Sequence, residues 1–125
     1  RLAGRVSGEE LARLYGQASV FALATRYEGY GIVFDEAMAY GLPIITCATG
    51  AVPETVAQGA GLLVPPDDHD AFADALAQVL DETEIRDRMV AASQTAGVAL
   101  QNWDGTSRLV ADVLDRIAKD AQDDR

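Results

Sequence analysis

The sequence predicts an α/β domain built on a parallel sheet. Short, nearly all-apolar runs at residues 20–24, 44–47 and 61–64 have the length and character of strands covered on both sides. Stretches with apolar residues at helical spacing lie between and after them. That alternation argues for βαβ units. At 125 residues, with 49% apolar residues, the chain is long enough to bury a core as one domain.

The elements follow in order. Leu2–Val6 reads as the end of a first strand, which makes four strands in all. Ser7-x-x-Glu10 is a capping-box pattern and opens a helix to about Gln17. Leu11, Leu14, Tyr15 and Ala18 fall on its inner face. The second strand, Val20–Ala24, leads through the loop Thr25–Tyr30 into a helix from about Gly31 to Tyr40. Gly41 suits the left-handed position after a helix, and Pro43 prevents continuation.

Ile44–Cys47 is the third strand. A loop with Gly50 follows, then a short helix near Pro53–Ala57 with Pro53 at its first position. Gly61–Val64 is the last strand, ended by Pro65-Pro66. Asp68 caps a helix carrying Phe72, Leu76, Val79 and Leu80. A helix over about Glu84–Ala99 comes next, and a final one starts near Trp103, with Val110, Val113 and Ile117 on one face. The part after Asp68 is therefore all helical, and the tail Lys119–Arg125 is polar.

The net charge of −10 is uneven: residues 1–66 carry four Arg and six acids, residues 67–125 six Lys and Arg and fourteen acids. An acidic half of this kind argues against a nucleic-acid or anionic-membrane partner. Cys47 is the only cysteine and His69 the only histidine, which leaves no disulfide framework and no His/Cys zinc set. Cys47 reads as a small buried hydrophobe, Ser7 and His69 as helix-start residues, and Asp67, Asp68 and Asp70 as acids favoured by a helix dipole. No apolar run approaches the roughly 18 residues of a membrane span. The chain opens on Arg1 without a signal-peptide pattern and is expected to be a fragment.

Candidate chemistry concentrates between Glu28 and Ile45. In open α/β sheets, ligands bind beyond the carboxyl ends of the strands. Three loops meet that description: Thr25–Tyr30, Ala48–Pro53 and Arg5–Gly8. Gly29 and Gly31 permit close backbone approach, and the amides of Tyr30, Gly31 and Ile32 open at a helix start suited to a diphosphate. By itself this Gly-x-Gly turn also reads as a plain strand-to-helix connection. Glu28 precedes that helix start and can accept hydrogen bonds from sugar hydroxyls or stabilise positive charge at an anomeric carbon. Glu36 falls outside the face shared by Val33, Phe34, Ala37 and Met38, where its carboxylate can take a ribose diol. Either Glu taken singly also reads as a solvated acid.

The ordered set around these residues resembles the donor-binding domain of GT-B glycosyltransferases, specifically the retaining family 4 group. It comprises Glu28-x7-Glu36 with Gly29-x-Gly31, then Glu36-Ala37-Met38-Ala39-x-Gly41-x-Pro43, then Gly50-x-x-Pro53-Glu54. Gly61-Leu62-Leu63-Val64-x-Pro66, Ala73-x-Ala75-Leu76 and the Trp103 helix start complete it. The resemblance implies a three-layer Rossmann-like domain, half of a GT-B fold, over residues 1–118, with 119–125 as the tail.

It further implies transfer of a hexosyl group from a nucleoside-diphosphate sugar, with retention and without a metal or other cofactor. Glu28 would then touch the donor sugar. The Gly29, Tyr30, Gly31 and Ile32 backbone would hold sugar and diphosphate, Glu36 the ribose, and Arg5 and Val6 the base. Such a domain works in the cytoplasm, with the inner membrane face as an alternative location. The competing readings are a non-catalytic nucleotide-sugar-binding module or another GT-B enzyme such as a nucleotide-sugar epimerase.

One departure stands out. The family has an N-terminal acceptor domain and an Arg/Lys pair on the diphosphate, and too few residues precede Ser7 to hold either. The 125 residues alone are therefore expected to be inactive, to bind donor weakly, and to self-associate or swap domains through an open sheet edge and the Trp103 stripe.

Overall fold

A computed structural model describes residues 2–100. Three short strands, β1 (Phe21–Leu23), β2 (Ile44–Cys47) and β3 (Gly61–Val64), form a parallel sheet in the order β1-β2-β3. Phe21 lies opposite Ile44, and Ile44 opposite Gly61. Four helices with defined ends accompany them: α1 (Gly8–Gln17), α2 (Ile32–Ala39), α3 (Val52–Thr55) and α4 (His69–Asp81). A further helix, α5, covers 83–100 at the end of the described residues.

The two faces of the sheet bury separate cores. Ile44 packs with Phe34, Ala37, Met38, Val52 and Val56 on the α2 side. Ile45 and Cys47 pack with Val64, Ala75, Val79 and Met89 on the α4 side. This is the period of two expected along a strand. Helix α5 joins both cores, since Ile85 and Met89 reach the α4 side while Ala92, Ala96 and Leu100 reach the α2 side. Buried Ser93 donates to the Leu42 carbonyl at 2.6 Å. At Gly97 an added Cβ would lie 2.5 Å from the Met38 carbonyl oxygen, so only glycine lets α5 approach α2 this closely.

Local signals place most element ends. Ser7 Oγ accepts from the Glu10 amide at 3.2 Å, which forms one half of the capping box. The Glu10 carboxylate turns to Arg13 at 3.5 Å. Helix α2 stops in a Schellman motif: Leu42 N–H bonds the Ala37 carbonyl, Gly41 N–H bonds that of Met38, and Gly41 takes φ 68°. Asp68 Oδ1 accepts from the Ala71 amide at 2.9 Å and starts α4.

Five expectations are corrected. Leu2–Val6 is not a strand; it runs unpaired, with Leu2 fully exposed, because no neighbouring strand among the described residues offers it a ladder. β1 is not covered on both sides: it is an edge of the sheet, and Ala22 is exposed. The inner face of α1 is only half covered, with Leu11 and Leu14 about 40% exposed (41% and 39%). In α4, Ala75 and Val79 carry the burial while Leu80 faces outward. Pro53 takes the second helical position, since Ala51 is the N-cap of α3. The Trp103 helix lies outside the described residues.

Candidate functional site

The loop after β1 and the loop after β2 are drawn together at the carboxyl ends of the strands. Thr49 Oγ1 donates to the Arg26 carbonyl at 2.9 Å. Thr55 Oγ1 of α3 donates to the Tyr30 carbonyl at 2.6 Å. Between them, Gly50 at φ 54° sits against the Glu28 backbone, where an added Cβ would overlap the Glu28 carbonyl oxygen. Within the first loop, Thr25 Oγ1 donates to the Tyr27 carbonyl at 2.8 Å. A loop with few apolar contacts thus gains its shape from hydroxyls of the following segment. Sequence reading missed these supports, apart from the placing of Gly50 in a ligand-side turn. Threonine donors are too common in loops to mark themselves.

The loop delivers Gly31 as N-cap of α2, in the left-handed region at φ 76°. A Cβ at Gly31 would lie 2.5 Å and 2.7 Å from ring carbons of the fully buried Phe34, and 3.3 Å from Glu28 Cγ. Glycine is required here by conformation and by space. No side chain caps this helix start. The amides beginning α2 therefore retain their capacity for an anionic ligand. Asp35 in the first turn raises the Tyr30 phenol above its ordinary 10.0 by hydrogen bonding and charge.

Glu28 is half-buried, with its backbone pinned under Gly50. Glu36 lies further along α2 with its side chain exposed, and its Oε2 accepts a hydrogen bond from the Tyr15 hydroxyl of α1 at 3.0 Å. The Tyr15 ring lies near-parallel to Phe21 (centroids 6.0 Å apart) and to Tyr40 (5.2 Å). Burial first, then the bond to Glu36 and the charges of Glu36 and Tyr40, push its phenol up to about 12. The structure therefore brings Glu28, Gly29, Tyr30, Gly31 and Ile32 into one turn, with Glu36 following on the same helix. Arg5 and Val6 lie in the lead-in to α1, which bends at Arg5, and among the described residues no hydrogen bond or ion pair links them to that turn.

Arg26 in the same loop is directed elsewhere. Its Nε meets Asp67 Oδ1 at 2.7 Å on the α4 side, with both side chains largely exposed. Beside this pair opens a cavity of about 420 Å³ walled by Ala24, Thr25, Cys47, Phe72 and Leu76. It includes neither Glu28 nor Glu36, so concavity alone does not find the residues singled out by sequence. The α2 start combines a glycine-specific backbone with a helix end that no side chain caps, with Glu28 just before it and Glu36 further along the helix. Among the described residues no group of three or more His, Cys, Asp or Glu is arranged to hold a metal ion. None of the described helices is long and apolar enough to cross a membrane.

A parallel sheet with helices on both faces, whose post-strand loops frame an open helix start, defines an α/β domain. Residues 1–96 match the profile of the family described as Glycosyl transferases group 1, and the chain belongs to that family. A D-inositol 3-phosphate glycosyltransferase from Nocardioides sp. is 38% identical over 112 residues, covering 89% of this chain and 24% of the relative. A GDP-mannose-dependent alpha-(1-6)-phosphatidylinositol monomannoside mannosyltransferase from Mycobacterium tuberculosis is 37% identical, covering 89% and 31%. The solved structure of the pneumococcal O-GlcNAc transferase GtfA in complex with UDP and GlcNAc superposes with a TM-score of 0.64 at 26% identity, covering 89% of this chain and 24% of that one. The fold is accordingly that of one part of the GT-B glycosyltransferases. The chain spans 24% and 31% of the lengths of those two curated relatives.

Proposed function

We propose that this chain is the donor-binding part of a retaining, family 4-type glycosyltransferase that moves a hexosyl group from a nucleoside-diphosphate sugar to an acceptor. The observation that carries the reading is the glycine-dependent turn Glu28–Ile32, opening onto an uncapped α2 in a chain of this family. In this reading Glu28 faces the donor sugar and stabilises positive charge growing at its anomeric carbon. The amides from Gly29 to Ile32 receive the diphosphate. Glu36 takes the ribose hydroxyls, and the Arg5–Val6 backbone lies along the base.

The domain extends over residues 1–118, and its partner is an acceptor-binding domain of the same protein. The loop cation Arg26 does not serve the diphosphate in this reading, because its Nε is paired with Asp67. The open edge of β1 makes a homodimer or swapped dimer the expected form of the isolated chain. The protein works in the cytoplasm in this reading, and the phosphatidylinositol in the mycobacterial relative's name supports the inner membrane face as the alternative location.

Titration of the chain with UDP, GDP and ADP by calorimetry tests the reading. One nucleoside diphosphate should bind, and Glu36→Ala should weaken it by at least tenfold, about 1.4 kcal/mol. Binding that survives Glu36→Ala undiminished would falsify the ribose role.

A further inference from the structure

Glu36 stands on an exposed helix face, where a glutamate with three rotatable bonds ordinarily samples several rotamers. Here one oxygen is held. The Tyr15 hydroxyl donates to Oε2 at 3.0 Å, across 21 residues of sequence and from a different helix. The donor is itself fixed, because its ring is stacked between Phe21 of β1 and Tyr40 at the end of α2. Phe21 in turn meets Phe34 edge-on at 6.0 Å, which ties the stack to the α2-side core. An ionised carboxylate accepts through about four lone-pair sites on two oxygens. One bond to Oε2 therefore leaves Oε1, and the rest of Oε2, for a ligand's hydroxyls.

We infer that Tyr15 is a positioning residue for donor recognition, its hydroxyl setting the Glu36 carboxylate in the orientation that receives the ribose diol. The inference rests on the donor-binding reading above. Its physical content is preorganisation: the rotamer is selected before the ligand arrives, so binding does not bear that ordering cost. Two adjacent hydroxyls need both oxygens of one carboxylate at a fixed angle. The dependence on Tyr15 should therefore be specific to ligands that carry the intact diol. The high phenol pKa of Tyr15 agrees with a neutral hydroxyl that donates throughout the physiological range.

Tyr15→Phe removes only the hydroxyl and keeps the ring in its stack. Calorimetric titration of this chain and its Tyr15→Phe variant with the nucleoside diphosphate that binds, and with its 2′-deoxy form, reads the effect. The variant should lose roughly tenfold affinity for the ribonucleotide, the scale of one hydrogen bond to a charged group. It should lose little for the deoxy form, so that ribo-over-deoxy discrimination shrinks. A variant that weakens both ligands equally, or neither, overturns the inference.

Glu36→Ala separates this failure from failure of the underlying reading. If Glu36→Ala abolishes binding while Tyr15→Phe changes nothing, the positioning role alone is lost. If Glu36→Ala also changes nothing, the donor-binding assignment of Glu36 falls and the inference falls with it. The double variant guards against general damage: Tyr15→Phe should cost nothing further in the Glu36→Ala background, and additive losses refute the coupling.

Discussion

β1 and β2 are neighbours in one sheet and are buried to different degrees. Every residue of β2 is buried, with apolar side chains packed into a separate core on each face. β1 shows an exposed alanine between two half-buried residues and has a ladder on one side only. Its end is fixed by hydroxyls instead. Thr46 of β2 donates to the Leu23 carbonyl at 2.8 Å, and Thr49 and Thr55 continue the pattern to Arg26 and Tyr30. Hydrogen bonds of this kind contribute only about 0.5–1.5 kcal/mol each, yet they set a backbone shape without covering it. A loop buried as β2 is buried could not admit a ligand. Among the described residues the candidate site follows the less covered of the two strands.

The contrast breaks most directly at equivalent positions of the two strands. Ile45→Ala opens a cavity at a fully buried site and should cost about 2–5 kcal/mol, whereas its ladder partner Ala22→Ser should stay within about 0.5 kcal/mol. Urea unfolding midpoints compare them, and equal losses would show that β1 is covered after all. Gly31→Ala comes next. The positive φ and the overlap with the Phe34 ring should cost about 2–3 kcal/mol by the same measurement. A loss below about 1 kcal/mol would mean that the turn relaxes without strain.

Thr46→Val keeps the shape of a buried side chain and deletes its bond to β1, so a loss of about 1–2 kcal/mol is expected. Thr55→Val should cost less, about 1 kcal/mol or under, because its hydroxyl, shared between the Tyr30 and Ala51 carbonyls, is less buried than that of Thr46. Its clearer readout is faster amide hydrogen exchange at Tyr30–Ile32 with no change in β2. Exchange unchanged in that loop would remove the hydroxyl support from the account.

The smallest effect is one of pH. The Tyr15 phenol is raised from 10.0 to about 12 in the folded state, so the folded protein holds its proton longer than the unfolded chain does. That contribution is fully present below pH 10 and is lost as pH rises through 12, so stability should fall across this window. Its size is reduced by solvent at this partly exposed site. Tyr15→Phe should flatten the decline, and an identical slope in the variant would assign it to other groups.

Much of this was legible because the relevant signals are local. The Gly41–Pro43 stop, the Ser7 and Asp68 caps, and the runs at Ile44–Cys47 and Gly61–Val64 each act within a few residues, and each sits where the sequence puts it. The turn Glu28–Ile32 was legible for the same reason, since glycine conformation and helix starts are short-range properties. The expected strand at Leu2–Val6 did not form, because a strand needs a partner that composition cannot provide. Nor could the sequence place Ala22 at an edge.

By itself, then, the sequence determined most of the elements, their order and the family, and it singled out Glu28 and Glu36. Only the tertiary structure decided which strand is exposed, that Thr49, Gly50 and Thr55 shape the Glu28 loop, that Arg26 is turned to Asp67, and that Tyr15 holds Glu36. The physical reason is distance along the chain. These contacts join residues 21 to 41 positions apart (Glu28 and Gly50 are 22 apart), and they exist only once the sheet has brought its loops to one end.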